Sequence, residues 1–219
     1  MKPPNLSRLH DLRMATTAAG YELDAMRDRL NALRSRHEDG TAPQAVAAHQ
    51  LFQTPEPIAA RLAALLPAFS GSARVLEPSA GLGRLLRALR EVPGIAETVA
   101  VEVDRELCGC LFRMDLPGVR IMQRDFLTVT PEETGLFDAV AMNPPFTMRS
   151  DIAHIRHALR FLKPGGVLAG ICMAGRQREA AFWDMAGTAF ERVVWEELPA
   201  GTFREAGTNV PSILFSIRA

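Results

Sequence analysis

A chain of 219 residues, 47% of them hydrophobic, has room for one ordinary domain with an appendage and can bury a core without disulfide or metal staples. Lysine plus arginine and aspartate plus glutamate stand at 25 each, which excludes a generally basic nucleic-acid coat and an acidic disordered tail, so any nucleic-acid contact has to be local. Three cysteines, Cys108, Cys110 and Cys172, are too few and odd in number for a secreted disulfide framework and point to a reducing, cytoplasmic setting. No apolar run approaches a membrane span and residues 1–8 carry no hydrophobic signal core, so neither a membrane nor export is expected.

From Leu6 to about His37 the sequence reads as helical, with Leu23, Met26, Leu30 and Leu33 forming one apolar stripe among charged neighbours. Such a stripe more often packs on its own domain than forms a coiled-coil seam, which needs more heptads; dimerisation or capture of a specificity partner is the minor reading. Breaks at 38–43 and at Thr54 to Pro57 set off residues 1–49 as a helical extension and 50–219 as the main domain. The second break reads as an N-cap with proline in the first turn of a helix reaching Leu66.

Beyond Ser70 short apolar runs alternate with amphipathic stretches. The runs 74–77, 99–103, 119–122, 137–142 and 167–172 read as buried parallel strands. Helices are expected at 82–91, 104–114 and 150–162, the last stopped by Lys163 to Gly166. Residues 192–198 and 210–217 have no convincing helix between them and read as an antiparallel pair at the sheet edge. The expected fold is α/β, a Rossmann-like doubly wound sheet of seven strands, mostly parallel with an antiparallel C-terminal strand.

In such sheets ligands bind beyond the carboxyl ends of the strands. The first strand leads into Glu77-Pro78-Ser79-Ala80-Gly81-Leu82-Gly83, where two glycines let backbone approach a ligand; the third glycine of a dinucleotide fingerprint would fall at Leu86, so the nicotinamide reading is incomplete. A carboxylate at Glu77 repels a pyrophosphate but suits an ammonium group, which favours an amino-acid-like cofactor. The structural alternative makes Glu77 a helix cap or the partner of Arg84 or Arg87. Glu102, 25 residues on, stands where an acid receives ribose hydroxyls, in a nicotinamide or an adenosyl cofactor alike; its alternative is a solvated carboxylate beside Arg105. After the third strand, Asp125 and Phe126 offer a carboxylate and a ring to an adenine, with plain core packing the alternative for Phe126.

The fourth strand ends in Asn143-Pro144-Pro145-Phe146. Two prolines remove two backbone donors and fix two φ angles, giving a rigid tip that presents the Asn143 amide oxygen and the Pro144 carbonyl as acceptors with the Phe146 ring nearby. Two convergent acceptors suit an NH₂ group: taking both hydrogens turns the nitrogen lone pair out of conjugation toward an electrophile, and an aromatic ring can stack on the plane bearing the amine.

On these residues the chain, over roughly 50–219, resembles class I S-adenosylmethionine-dependent methyltransferases of the amino-methylating group, in particular the DNA adenine-N6 enzymes of phages, plasmids and restriction systems. The Asn-Pro-Pro-[Phe/Tyr] signature is met by Asn143 to Phe146, the cofactor loop by Glu77 to Gly83, the ribose acid by Glu102, the adenine pair by Asp125 and Phe126, and the segment before the first strand by residues 52–55. The resemblance implies S-adenosylmethionine as cofactor, held by Thr54, Glu77, Pro78, Ser79, Ala80, Gly81, Gly83, Glu102, Asp125, Phe126 and Asn143. It implies catalysis by Asn143, Pro144, Pro145 and Phe146 through direct in-line transfer to adenine N6 in DNA, the base being flipped and stacked on Phe146. No cysteine stands at the fourth strand's tip, so cytosine-C5 nucleophile chemistry is not supported.

Beside the larger DNA enzymes, the strand-and-helix core nearly fills these residues and leaves little for a separate recognition region, so low specificity, or specificity supplied by a partner, is expected. Six basic residues, Arg149, Arg156, Arg160, Lys163, Arg176 and Arg178, form either a phosphate-binding patch or a solvated helix face. The long stretch 198–209 makes Phe203 and Arg204 candidates for substrate contact beside Phe146 and Arg149. His154 and His157, spaced i,i+3, have no third ligand and read as solvated or phosphate-contacting, and Cys108 and Cys110 as helix packing; no metal site is expected. Rival readings are methylation of an RNA base or a protein glutamine amide, the glutamine enzymes usually showing tyrosine in place of Phe146, and a non-catalytic assembly subunit.

Overall fold

A computed structural model describes residues 53–146, 150–186, 192–206 and 209–218. The helical extension expected over 1–49, and Arg149, lie outside the described residues. Seven strands form one sheet: β1 (Ala73–Glu77), β2 (Ile95–Glu102), β3 (Val119–Gln123), β4 (Phe137–Met142), β5 (Leu162–Met173), β6 (Arg192–Glu197) and β7 (Ser212–Arg218). Their order is β3-β2-β1-β4-β5-β7-β6. The pairs β1–β2, β1–β4, β2–β3 and β4–β5 are parallel, while β7 inserts between β5 and β6 and runs antiparallel to both. The chain winds outward from β1 through β2 to β3, then returns to place β4 on β1's other side, so the switch point lies between the tips of β1 and β4.

Pleating divides the apolar runs between two faces. On one, Leu76, Val140, Met142, Leu168 and Cys172 pack with Ile152, Ile155 and Ala158 of α5 (Ser150–Leu159). On the other, Val75, Ala139, Ala141, Val167, Ala169 and Ile171 meet Ile58 and Leu62 of α1 (Glu56–Ala63) and Leu85 and Leu89 of α2 (Arg84–Leu89). Burial on both sides is why these strands read as continuous apolar runs rather than alternating ones. Helix α3 (Arg105–Arg113) follows β2, capped by Asp104, whose side chain accepts from the backbone N–H of Glu106 and Leu107. A one-turn helix, α4 (Pro131–Thr134), precedes β4.

The observed elements depart from expectation in several places: β2 begins at Ile95, α1 is capped by Pro55 and ends at Ala63, α4 was not expected, and three further differences have a clear cause. Lys163 to Gly166 do not end α5 but belong to β5, where the register with β4 shifts between Phe137 and Ala139 to take up the extra residues, with Gly165 at φ 76°. Helix α6 (Arg176–Ala186) was not foreseen, because Phe182 is the one fully buried side chain among its described side chains and the sequence shows no apolar stripe. Helix α2 occupies Arg84–Leu89 rather than 82–91, since Gly83 takes the left-handed conformation at its N-cap.

Candidate functional site

The loop after β1 is built on the tip of β2. Ala80 N donates to Val101 O at 3.0 Å, Gly83 N to Ala80 O at 2.8 Å, and Gly81 N to Glu102 Oε2 at 2.8 Å. Gly83 cannot be replaced cheaply: its φ is +72°, and an added Cβ would lie 2.9 Å from Leu111 Cδ2 of α3. Glu102 is buried, and its second oxygen accepts from Asp104 N at 2.9 Å. It is therefore not a solvated carboxylate beside Arg105; two backbone donors orient it, and a carboxylate's spare lone pairs still leave acceptor capacity for hydroxyls.

Glu77 closes the other side of this loop. It is 2% exposed, and its Oε2 has no hydrogen-bond partner. Burial, and secondarily the negative charge of Glu102, push its carboxyl well above the ordinary range. The partners suggested by sequence are engaged elsewhere, Arg84 with Thr54 O at 3.2 Å and Arg87 with Met114 Sδ at 3.8 Å, and the α2 N-cap is Gly83 with no side-chain cap. A buried carboxylate oxygen without a donor is costly unless something supplies one, and an ammonium group meets that need. Pro78 and Ala80 are buried and Ser79 is half-buried around it.

Thr54 lies between this loop and the tip of β4. Its Oγ1 accepts from Asn143 Nδ2 at 3.0 Å, while its carbonyl is held by Arg84 from the first turn of α2. Thr54 was expected to hold a methionine moiety; its side chain is bonded to the Asn143 amide, so it joins the cofactor loop to the tetrapeptide. With the amide nitrogen donating to Thr54, the Asn143 oxygen is the acceptor atom of that amide. The tip is tied further by Ser150 Oγ donating to Pro145 O at 2.5 Å and by Arg178 donating from a terminal guanidinium nitrogen to Phe146 O at 3.3 Å.

Three aromatic residues expected at the ligand face are packed inside. Phe146 is 3% exposed and Phe203 1%, their rings meeting edge-on at 6.4 Å in the cluster that holds Ala141, Ile171 and Leu214. Phe126 is enclosed by His154, His157 and Phe161, with centroid distances of 5.9, 4.8 and 5.3 Å. The physical reason is shared: each ring follows a strand tip or lies in a returning loop, and turning inward covers apolar area on a sheet face that water would otherwise meet. Asp125 remains exposed and caps the turn after β3 by accepting from Leu127 N at 3.0 Å. Arg204 is exposed, in a single 3-10 turn.

His154 is buried, with Nδ1 2.8 Å from Ser150 O, and His157 Nε2 lies 2.9 Å from Val129 O. Neither is a solvated or phosphate-contacting side chain. Burial pulls the His154 pKa below its ordinary value, so the ring is neutral at neutral pH. The basic set also divides: Lys163 pairs with Asp138 at 2.8 Å and Arg178 with Asp151 at 3.1 Å, leaving Arg156, Arg160 and Arg176 exposed. Cys108 donates to Glu102 O at 3.4 Å from inside α3, and burial pushes its thiol up to about 11. Among the described residues no group of three or more His, Cys, Asp or Glu side chains could hold a metal, and no helix is long and apolar enough to cross a membrane.

Sequence reasoning passed over three residues. Asp151 and Ser150 were hidden in a helix first turn, where an acid reads as a dipole partner. Val103 is an aliphatic side chain left 66% exposed between Glu102 and Asp104, at the tip of β2.

No protein-family model matches the chain. The type II methyltransferase M.XamI of Xanthomonas campestris pv. amaranthicola is 32% identical over 117 residues, 51% of this chain. The chain spans 21% of that relative's length. A structure from Listeria monocytogenes, described as a class I S-adenosylmethionine-dependent methyltransferase, superposes with a TM-score of 0.61 at 19% identity, covering 79% of this chain and 63% of the other. TYW2 of M. jannaschii, solved in complex with AdoMet, gives 0.57 at 14% identity over 76% of this chain and 75% of its own. An rRNA methylase from Streptococcus thermophilus gives 0.51 at 16% identity over 72% and 90%. The fold is that of the class I S-adenosylmethionine-dependent methyltransferases.

Proposed function

We propose that the chain binds S-adenosylmethionine and transfers its methyl group to the exocyclic N6 amine of adenine in DNA. The observation that carries the reading is the Thr54–Asn143 hydrogen bond, which, with Arg84 holding the Thr54 carbonyl, ties the Asn143-Pro144-Pro145-Phe146 tip to the helix that starts directly after the loop of the buried, donor-seeking Glu77. When bound, the cofactor supplies an electrophilic methyl group. Glu77 receives its ammonium group, the Gly81 to Gly83 backbone lets it lie close, and Glu102, held by Gly81 N and Asp104 N, accepts from ribose hydroxyls. Asp125 accepts from the adenine amine of the cofactor, and the exposed Val103 covers a face of its ring.

At the target, Asn143 Oδ1 and the Pro144 carbonyl accept the two amine hydrogens, which localises the lone pair on nitrogen and aims it. Positioning and electrostatics carry the catalysis, with no covalent intermediate on the protein, and the nitrogen sheds one of its two hydrogens as a proton to water as it gains the methyl group. Phe146 serves as the packed end of the rigid tip. Nucleic acid as the partner is supported by the likeness to M.XamI, a type II methyltransferase. An RNA base is the second reading, supported by the likeness to an rRNA methylase. Incubating the protein with methyl-labelled cofactor and, separately, unmethylated DNA, total RNA and a protein extract decides between them. Label recovered as N6-methyladenine from DNA supports the proposal; label only in RNA or in glutamine replaces the substrate.

A further inference from the structure

Pro144 and Pro145 have no backbone N–H, so the tip cannot anchor itself by donating hydrogen bonds through its middle. Its carbonyls are the handles, and two are taken by side chains from elsewhere: Pro145 O by Ser150 Oγ and Phe146 O by Arg178. Neither is the Pro144 carbonyl assigned to the substrate amine. The Arg178 guanidinium is itself held by Asp151, from Nε to Oδ1 at 3.3 Å and to Oδ2 at 3.1 Å, and Asp151 Oδ2 also accepts from Met173 N at 3.2 Å. Asp151 is 0% exposed and the Arg178 side chain 19%. Four pieces of chain thus meet at one ion pair: the first turn of α5, which carries Asp151, the end of β5, which donates to it, the first turn of α6, which carries Arg178, and the β4 tip, whose Phe146 carbonyl accepts from Arg178.

A buried ion pair is a poor source of net stability, because desolvating two charges offsets most of their attraction and a well-packed apolar pair often serves as well. What it does supply is direction. A planar guanidinium can hold a carboxylate through one nitrogen and a carbonyl through another in fixed relative orientation, which a lysine ammonium, with a single nitrogen, cannot reproduce.

We infer that Asp151 and Arg178 are positioning residues for the proposed transfer: by clamping the Phe146 carbonyl to β5 and α6 they fix the direction of the Pro144 carbonyl two residues earlier. The inference rests on the methyl-transfer reading, and it gives Arg178 a part other than phosphate contact.

The test uses the full chain and the substituted forms Arg178→Lys and Asp151→Asn. It measures single-turnover methyl transfer to DNA, cofactor affinity by calorimetry, and amide exchange of the peptide bearing Phe146. Arg178→Lys is expected to slow transfer at saturating cofactor and DNA by about 10- to 100-fold. Cofactor affinity stays within about twofold, and exchange at the Phe146 peptide rises. Asp151→Asn, which is nearly isosteric but uncharged, reproduces the slowing. Transfer by Arg178→Lys at the wild-type rate overturns the inference. So does a loss of rate matched by equal losses in cofactor affinity and thermal midpoint, the pattern of a merely structural pair. Wild-type protein that methylates no amine in DNA, RNA or protein, while exchange still responds to Arg178→Lys, overturns the methyl-transfer reading and the catalytic half of this one with it. An active wild type beside an indifferent Arg178→Lys overturns the positioning role alone.

Discussion

The Asn143 amide nitrogen donates to Thr54 Oγ1 across 3.0 Å, joining a residue just ahead of α1 to one at the end of β4. Because the hydroxyl takes the amide's NH₂ side, the orientation of the Asn143 amide is set from outside the tetrapeptide. Thr54→Val keeps the shape and removes the acceptor. Losing about 1 kcal/mol of orienting hydrogen bond, the variant should transfer methyl roughly fivefold more slowly at saturating cofactor. Single-turnover kinetics beside calorimetric cofactor binding check this, and an unchanged rate would remove Thr54 from the catalytic account.

Glu77 predicts a pH signature with a definite sign. Its folded-state pKa is raised well above 4.5, by burial first and by Glu102 second, so the folded chain keeps a proton there that the unfolded chain gives up. Its contribution to stability is fully present below the unfolded pKa and is lost as pH rises through the folded one. Glu77→Gln should therefore flatten the decline of stability from pH 4.5 upward and raise the thermal midpoint at neutral pH. Denaturant titrations of both proteins across this range check it, and parallel pH profiles contradict it.

The same substitution should cost cofactor affinity at least about tenfold, because a neutral amide cannot match a carboxylate against an ammonium group. In the wild type, charging Glu77 on binding should release a proton, read by calorimetry in buffers of different ionisation enthalpy. Undiminished affinity in Glu77→Gln would reject its place at the cofactor.

Phe146→Ala is expected to lower stability by about 3–5 kcal/mol, the range for emptying a buried aromatic site. Phe203→Ala should cost a similar amount, and the double variant less than the sum, because the rings share one contact at 6.4 Å. Chemical denaturation of the three variants measures this. A loss under about 1 kcal/mol in Phe146→Ala would return that ring to the ligand face.

Most of the architecture was legible because parallel strands buried on both faces leave unbroken apolar runs: β1, β3 and β4 fall within a residue of their expected limits. The turn after β1 and the rigid tip after β4 were legible because glycine and proline constrain the backbone locally. Long-range pairings were not. Nothing in the sequence says that Glu102 accepts from Gly81 N, that Arg178 reaches back to Phe146 O, or that the aromatic residues turn inward. An aromatic residue after a strand tip has the same local signature whether it stacks on a ligand or seals the core, and His154 and His157 read as solvated because the partner ring, Phe126, is remote in sequence.

The central claim is that the β4 tip presents acceptors to a target amine while the β1 loop holds the cofactor, two tasks that one substitution separates. The direct measurement is to incubate unmethylated DNA and S-adenosylmethionine with wild-type protein and with Asn143→Ala, quantify methylated nucleosides by mass spectrometry, and titrate the cofactor into each protein. N6-methyladenine is expected from the wild type, with a loss of at least about 100-fold in the variant and nearly equal cofactor affinity for both. Methylated adenine formed equally by Asn143→Ala, or cofactor binding that collapses together with activity, would contradict the claim.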